Sequence, residues 1–208
     1  MRTAVYVDGF NLYYRALKGT PFRWLDLDLL SRQLVQPRNK ITSIRYFTAR
    51  VKPSAHKPNQ HVRQDAYLRA IKSQIPHLTI HEGQYSQHVV DMPLAVAPPR
   101  GSRLVKVIKN EEKGSDVNLA VHLLNDAWSE EFDVALVISN DSDLAEAIRL
   151  ARAKGLPIGV ANPDPIRRMN AELYGAASFK RRIEHKHLQA AQLPSPIPGT
   201  TITKPQTW

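Results

Sequence analysis

The chain has 208 residues, which is enough for one domain of typical size and a modest additional segment. It contains no cysteine, so disulfide scaffolds, cysteine-bound zinc, iron–sulfur clusters and cysteine nucleophiles are excluded. Lys and Arg number 29 and Asp and Glu number 19, and the resulting formal net charge of +10 favours a polyanionic partner, either a nucleic acid or an anionic membrane surface.

The apolar segments of the chain are all short. No run of about 18 apolar residues is present, so the sequence predicts no membrane-spanning helix. The first apolar run covers residues 4–7 and ends at Asp8, which is too short for the apolar region of a signal peptide. No segment combines a strong apolar face with a basic face, so we expect a cytoplasmic protein whose partner is not a membrane.

Strands and helices alternate in the first part of the chain. Short apolar runs predict strands over residues 4–7, 44–51 and 78–83, and apolar residues at helical spacing predict helices over residues 25–35 and 59–75. The continuous apolar run at residues 4–7 is typical of a central strand in a parallel sheet.

The second part of the chain contains the clearest strand, over residues 134–138. Before it, residues 88–109 carry apolar side chains on both sides of a stretch with Pro and Gly, which predicts an extended excursion or hairpin. After it, a helix capped by Gly155 and a last strand over residues 157–161 are expected. This alternation of strands and helices predicts an α/β fold with a mostly parallel sheet.

Composition divides the chain into three regions. Residues 1–162 are predicted to form the α/β domain, with the hairpin-like excursion at about 86–110. Residues 163–193 are predicted to form a basic extension that is helical and packs on the domain. Residues 194–208 contain four prolines and no apolar periodicity, so disorder is predicted there.

Aspartates follow the predicted strands. Asp8 comes directly after the first strand, Asp141 and Asp143 come after the strand at 134–138, and Asp116 lies at the start of a helix. The carboxyl ends of parallel strands share one edge of a sheet with the N-termini of the helices that follow them. We therefore expect these carboxylates to converge, with Asp116 joining them if its helix starts at that edge.

Four carboxylates in one cleft repel each other, which raises some of their pKa values unless a cation neutralises them. A site made only of oxygen ligands suits a hard divalent ion such as Mg²⁺ or Mn²⁺. Such an ion keeps bound waters, lowers the pKa of one of them and bridges phosphate oxygens. An acidic cleft on a strongly basic protein therefore indicates chemistry on phosphodiester bonds.

A structural interpretation of the same residues stays open. Polar residues that precede a helix most often cap it, and the residues that can do so here are Ser115, Asp116, Ser142 and Asp143. Asp8 followed by Gly9 is also an ordinary turn signal. The functional interpretation depends on the fact that three separate segments bring carboxylates to one predicted edge.

Three motifs of the chain resemble those of a known family. They are Val7-Asp8-Gly9-Phe10-Asn11-Leu12, Glu112-Lys113-Gly114-Ser115-Asp116-Val117 and Ser139-Asn140-Asp141-Ser142-Asp143-Leu144. In sequence and order they resemble the NYN domain (LabA-like group) of the PIN-like nuclease superfamily, over about residues 1–162. The resemblance implies a PIN-like three-layer α/β/α sandwich and a metal-dependent ribonuclease site.

The resemblance also implies roles for individual residues. The carboxylates that bind Mg²⁺ or Mn²⁺ would be Asp8, Asp116, Asp141 and Asp143. Asn11 would hydrogen-bond a carboxylate or a phosphate near the site. In this hypothesis these five residues form the catalytic site, and a metal-activated water hydrolyses the RNA phosphodiester bond without a covalent intermediate.

The chain departs from the family pattern at three positions. Many relatives carry an acidic residue where this chain has His122, a Gly at Asn140 and a Phe at Leu144. Since a histidine does not replace a carboxylate in neutralising a hard ion, His122 supports an alternative: a non-catalytic or weakly catalytic RNA-binding or regulatory module. A Toprim-like or other D-x-D phosphotransfer enzyme ranks lower, because Toprim domains usually place Glu on the first strand.

Two clusters of basic residues can track the phosphates of RNA. The hairpin cluster lies directly upstream of Asp116 and comprises Arg100, Arg103, Lys106, Lys109 and Lys113. The second cluster follows the last predicted strand and comprises Arg167, Arg168, Lys180, Arg181, Arg182 and Lys186. We favour the hairpin cluster because it adjoins the proposed site, while a solvated charged face is the alternative for either.

Two aromatic residues follow Asn11. Tyr13 and Tyr14 can stack on unpaired bases of single-stranded RNA, or they can pack their helix against the sheet. We expect Tyr14 to belong to the RNA-binding surface. The sequence also permits a homo-oligomer without indicating its size.

Overall fold

A seven-stranded sheet forms the centre of the computed structural model, which describes residues 1–54, 58–96, 98 and 100–206. The strands are β1 Arg2–Asp8, β2 Lys40–Ala49, β3 Leu78–Pro93, β4 Leu104–Lys113, β5 Val134–Ile138, β6 Ile158–Asn162 and β7 Phe179–Arg182. Their order is β4-β3-β2-β1-β5-β6-β7, and every neighbouring pair is parallel except β3 and β4. The prediction of a mostly parallel α/β fold is confirmed.

Helices cover both faces of this sheet. They are α1 Gly9–Leu12, α2 Leu27–Leu34, α3 Gln60–Gln74, α4 Ser115–Trp128, α5 Ala145–Ala153, α6 Ala171–Ala176 and α7 His185–Ala190. A π-helical segment, Tyr13–Leu17, continues α1, and a 3-10 turn, Ser142–Leu144, leads into α5. The helices α1, α2, α3 and α7 share one core with the sheet, and α4, α5 and α6 share a second core on the other face. The result is a three-layer α/β/α sandwich.

The two strands at the middle of the sheet, β1 and β5, are covered on both faces. Every residue of β5 is buried, and so is every residue of β1 after the first. Val5 of β1 contributes to one core and Tyr6 to the other, because successive side chains of a strand point to opposite faces. A strand that is buried on both faces reads as a continuous apolar run, which is why the sequence identifies β1 and β5.

The predicted excursion forms a long antiparallel hairpin. Strand β3 runs beside β2 from Leu78 and then continues past the parallel part of the sheet, where it pairs with β4. The paired positions extend from Gln84 with Lys113 to Pro93 with Leu104. Ala97 and Pro99, which belong to the predicted excursion, lie outside the described residues.

The C-terminal region differs from the prediction in two ways. The last strand of the sheet is β7, which pairs in parallel with β6, so the sheet extends beyond residue 162. The tail is packed where disorder was expected: Ile197 is buried in the first core, and Trp24 Nε1 donates a hydrogen bond of 3.0 Å to Pro194 O. Residues 207–208 of the predicted tail lie outside the described residues.

Within the described part of the chain, no helix has both the length and the apolar character that crossing a membrane requires.

A close approach between α1 and β2 depends on Gly9. A Cβ atom at this position would lie 2.7 Å from Phe47 O and 2.7 Å from the Tyr46 hydroxyl oxygen. Both distances are shorter than a van der Waals contact, so only glycine allows the chain to turn from β1 into α1 this close to β2. The turn places Asp8 at the edge of the sheet.

We expect Gly9→Ala to lower the free energy of unfolding by about 1–3 kcal/mol, because the added methyl group overpacks the contact with β2. Gly175→Ala is the control, since Gly175 lies within α6 and a Cβ there would meet no atom within 4 Å. This control should stabilise the protein by up to about 1 kcal/mol. Urea denaturation measures both changes, and an unchanged stability of Gly9→Ala would show that α1 moves away from β2 without cost.

Candidate functional site

Asp8 occupies the end of β1, at the middle of the sheet edge. Asp8 is only 3% exposed, and both of its carboxylate oxygens accept hydrogen bonds. The backbone N of Asn11 donates to Oδ1 over 2.9 Å, and Ser139 Oγ donates to Oδ2 over 2.8 Å. Asp8 is therefore the N-cap of α1, where the structural interpretation expected only a turn, and it is also a buried carboxylate with a fixed orientation.

Ser139 links Asp8 to Asp141. The strands β1 and β5 are neighbours, with Val7 paired to Ile138, so the residues that follow each strand meet at the same edge. The buried Ser139 hydroxyl donates to Asp8 and accepts a hydrogen bond of 3.1 Å from the backbone N of Asp141. The parallel strands thus bring the two aspartates to one place.

Asp141 and Asp143 have different environments. Asp141 Oδ1 accepts a hydrogen bond of 3.1 Å from the backbone N of Asp143 and caps the 3-10 turn, Ser142–Leu144. The residue that caps this turn is thus Asp141, and the suggested caps Ser142 and Asp143 lie within it. Asp143 is exposed, and its charge acts on Asp116, so it lies at the margin of the group.

Asp116 joins the group from α4, in the first turn of that helix. The pKa of Asp116 is raised to about 6, chiefly by burial and also by the charges of Asp141, Glu112 and Asp143. Gly114 precedes the helix with a φ of +94° and provides no side-chain cap. The interpretation of Asp116 as a helix cap is therefore wrong, and its carboxylate faces other carboxylates instead.

Glu112 is a member of this group that the sequence did not single out as a site residue. Its Oε1 accepts hydrogen bonds from Ser115 N at 3.0 Å and Ser115 Oγ at 2.5 Å. Glu112 thus satisfies a free backbone N–H at the start of α4 and adds a negative charge beside Asp116. The sequence feature that could have indicated Glu112 as a site residue is its position in the same motif as Asp116.

Like charges meet at Asp8. The pKa of Asp8 is raised to about 7, chiefly by burial and also by the charges of Asp116 and Asp141, and the hydrogen bonds from Asn11 and Ser139 oppose this rise. The structure therefore brings Asp8, Asp116 and Asp141 within electrostatic contact of one another. Within the ranges that the structure describes, no three His, Asp or Glu side chains are already positioned to bind one metal ion together.

The side chain of Asn11 holds a loop, where a contact to a carboxylate or phosphate was expected. Its Oδ1 accepts a hydrogen bond of 3.1 Å from the backbone N of Asn140. Asn140 Oδ1 in turn accepts a hydrogen bond of 2.7 Å from the backbone N of Asn170. The contact of Asn11 with Asp8 comes from its backbone N, so Asn11 positions both aspartate-bearing segments.

His122 lies in a separate aromatic group between α4 and the sheet. Its ring centroid is 4.1 Å from that of His81, and the His81 ring stacks on Phe47 at 4.9 Å. The pKa of His81 is lowered to about 4, chiefly by burial and also by the neighbouring His122 and Arg45. Burial also lowers the pKa of His122, so both imidazoles are neutral at pH 7. His122 therefore does not occupy a place among the carboxylates.

The hairpin cluster of basic residues does not form one continuous surface. Lys106 of β4 pairs with Asp91, whereas Lys109 and Lys113 lie on the opposite face of the hairpin. Lys109 and Lys113 both form ion pairs with Glu111, which offsets part of their charge. Arg100 and Arg103 are exposed near the end of the hairpin.

A cavity of about 430 Å³ opens on the first-core face of the sheet, between the π-helical segment, α3 and β2. The aromatic residues of its wall are Phe10, Tyr13, Tyr14, Tyr46 and Tyr67. Tyr14, the expected base-stacking residue, lines this cavity, and its ring lies parallel to that of Phe10 at a centroid distance of 6.2 Å. No pattern in the sequence indicates the cavity, because its residues come from elements far apart in the chain.

Comparison with known proteins decides the family. The sequence profile of the NYN domain matches residues 2–178. The chain belongs to the NYN domain family. The resemblance found on the three motifs is confirmed at this level and extends further along the chain than expected, whereas membership of the LabA-like group stays a prediction. The NYN domain is a nuclease-like fold, in agreement with the α/β/α sandwich.

Two similar proteins add to this assignment. The chain is 35% identical over 235 aligned positions to the 6-hydroxy-3-succinoylpyridine 3-monooxygenase HspA of Pseudomonas putida, covering 100% of this chain and 75% of that protein. A crystal structure of a protein of unknown function from Vibrio parahaemolyticus superimposes with a TM-score of 0.54 at 15% identity, covering 92% of this chain and 96% of that chain. The second likeness concerns the fold alone.

The raised pKa of Asp8 predicts how the stability of the folded protein depends on pH. In the unfolded chain the carboxyl loses its proton near pH 3.8, and in the folded protein it does so near pH 7. The proton therefore stabilises the fold at low pH, and this contribution is lost as the pH rises through 7. The Asp8→Asn variant has no titrating carboxyl at this position. Its free energy of unfolding, relative to that of the wild type, should therefore rise by on the order of 2 kcal/mol from pH 5 to pH 8.

Chemical denaturation with EDTA at the two pH values measures this gain. Asp26→Asn is the matched control, because Asp26 is also a buried aspartate that caps a helix, α2, but it lies outside the carboxylate group. If Asp8→Asn differed from wild type by the same amount at both pH values, the buried-charge description of Asp8 would be wrong.

Proposed function

We propose that this NYN domain protein is a metal-dependent ribonuclease that hydrolyses phosphodiester bonds at the carboxylate group. The observation that carries the proposal is the electrostatic contact between Asp8, Asp116 and Asp141, which come from three separate segments. Burying like charges together is unfavourable unless a cation or a proton neutralises them. A structural cap alone does not require a second and third carboxylate beside it.

The chemistry of the donors fits a hard divalent cation. All of the candidate ligands are carboxylate oxygens, which Mg²⁺ and Mn²⁺ prefer. The residues that would hold the ion are Asp8, Asp116 and Asp141, with Asp143 at the margin. When bound, such an ion supplies an acidified water and positive charge for the phosphate oxygens.

The residues of the chain contribute orientation to this proposed reaction. Ser139 and the backbone N of Asn11 fix both oxygens of Asp8, and Asn11 Oδ1 fixes the loop before Asp141. Preorganised groups of this kind do not have to reorient when charge develops during the reaction. Exposed cations near the end of the hairpin, including Arg100 and Arg103, would attract the RNA backbone, and single-stranded RNA is the expected substrate.

The alternative of a non-catalytic or weakly catalytic RNA-binding module was suggested by His122. The ring of His122 packs against His81, and His122 is not among the groups whose charges act on Asp8 or Asp116, so this residue does not argue against the proposed site. Cleavage assays separate the two functions, since a binding module retains RNA affinity and shows no turnover.

A different function, the oxygenation of a small aromatic acid, is a second candidate. It is favoured by the name of the Pseudomonas putida relative, a monooxygenase acting on a pyridine that bears a succinoyl group. The cavity beside Asp8 has aromatic walls and three basic residues, which suit a ring with an acidic substituent. This candidate uses the cavity as its substrate site, whereas the ribonuclease uses the carboxylate group.

The first test is cleavage of a single-stranded RNA with Mn²⁺. We expect Asp8→Asn, Asp116→Asn and Asp141→Asn each to lower the cleavage rate by at least about a hundredfold, because each change removes a charge that holds the ion. Glu146→Gln is the control, since Glu146 is an exposed acid at the start of α5 that pairs with Arg149. Equal rates in all variants would remove these aspartates from the mechanism.

The second test measures the binding of the ion without a substrate. Mn²⁺ that binds the folded state alone should stabilise the protein by an amount that grows with the logarithm of its concentration, about 2.7 kcal/mol at one hundred times the Kd, and should raise the melting temperature accordingly. Asp116→Asn should lose most of this increase, and Glu146→Gln should keep it. An equal increase in Asp116→Asn would place the ion elsewhere on the protein.

A further inference from the structure

The cavity beside the sheet edge has walls that suit a flat ring. The rings of Phe10 and Tyr14 are nearly parallel, with an interplanar angle of 14°, and Tyr13 meets Tyr14 edge to face at 5.2 Å. Tyr46 and Tyr67 are buried and line the same cavity. Aromatic side chains in these arrangements make favourable stacked and edge contacts with another ring. A volume of about 430 Å³ is within the range of small-molecule sites.

The charged residues of the cavity all have the same sign. They are Lys18, Arg23 and Arg63, and no acidic residue is among the described residues that line it. Arg23 Nε donates a hydrogen bond of 2.9 Å to Thr20 O, which holds its guanidinium in place. In the part of the chain that the structure describes, neither arginine forms an ion pair with a carboxylate. Their charge is therefore available to an anion.

The inner end of the cavity borders the carboxylate group. Gly9 and Phe10 line the cavity and directly follow Asp8. The Tyr46 hydroxyl would contact a Cβ at Gly9, so this phenol lies at the junction between the cavity and the turn that carries Asp8. A ring held in the cavity would therefore lie next to the edge where the aspartates converge.

We infer that this cavity is a binding site for a planar aromatic ring with an anionic substituent, whose ring packs against the tyrosines and whose anion binds Arg23 and Arg63. The site goes beyond the proposed ribonuclease, it is the site that the second candidate function would use, and it needs no metal ion. Two sources supply this chemistry: a free aromatic carboxylic acid, or a nucleotide of the RNA substrate, whose base is the ring and whose phosphate is the anion. Aromatic walls provide affinity for either ring, and the arginines discriminate against uncharged rings.

Calorimetric titration of the full chain in EDTA tests the site directly. The probes are pyridine-3-carboxylate, its uncharged analogue pyridine-3-carboxamide and uridine 5′-monophosphate. The site predicts that at least one of the two anions binds with a Kd below about 1 mM, and that the carboxamide binds about tenfold or more weakly than the carboxylate if the carboxylate binds. Binding of the carboxylate identifies a free acid, and binding of the nucleotide alone identifies the RNA.

Two variants examine the parts of the site separately. Arg63→Gln should weaken binding of the anion by about ten- to a hundredfold, because a hydrogen bond with a charged group is lost. Arg69→Gln is the matched control on the same helix, since Arg69 does not line the cavity and pairs with Asp65. Tyr14→Leu removes an exposed ring of the wall and should weaken binding without affecting the fold.

The inference is overturned if neither anion binds, or if Arg63→Gln and Arg69→Gln bind the anion equally. Asp116→Asn separates this site from the proposed ribonuclease, because Asp116 lies in α4 and outside the turn from Asp8 to Phe10. It should lose RNA cleavage and keep the calorimetric binding, so failure of either function is recognised independently of the other.

Discussion

The hydrogen bond from Ser139 to Asp8 is the contact on which the site depends. The same hydroxyl accepts from the backbone of Asp141, so one buried side chain joins the ends of β1 and β5. Two carboxylates are thereby held at the carboxyl ends of the two central strands, which are buried on both faces. Asp116 approaches them from α4, and the burial of like charges that results is unfavourable without a counter-charge. The proposed divalent ion would supply this counter-charge.

The parts of this site that the sequence predicts are those set by topology. The apolar runs of β1 and β5 indicate parallel central strands, and parallel strands end at one edge, so the convergence of Asp8 with Asp141 follows from the pattern. The position of Glu112 beside Asp116 does not follow from this pattern of strands. It depends on the path of the chain from the end of β4 to the start of α4. The alternate faces of Lys106 and Lys109 follow from strand geometry only once β4 is known to be a strand.

The C-terminal region shows why composition alone was insufficient. Its prolines and the absence of apolar periodicity are typical of disorder, yet a few separated apolar residues are enough to attach it to the domain. Ile197 is buried in the first core, and the carbonyl of Pro194 satisfies the indole of Trp24. The cavity could not be predicted from the sequence either, because the π-helical segment, α3 and β2 that form it come together only in the folded chain.

The carboxylate group and the cavity are neighbours that meet at the turn from Asp8 to Phe10. A ribonuclease would use the first to hold its ion, and a ring with an acidic substituent would use the second. Gly9 allows both, because the close approach of α1 to β2 sets the position of Asp8 and of the cavity wall. A substitution in the carboxylate group or in the cavity is therefore expected to leave the other one intact only when it lies outside the turn from Asp8 to Phe10.

A crystal structure of the full chain with MnCl₂, recorded with anomalous scattering, tests the central claim most directly. The shared-ion site predicts an anomalous peak within coordination distance of oxygens from Asp8, Asp116 and Asp141. A peak located away from Asp8, or none at saturating Mn²⁺, would contradict it.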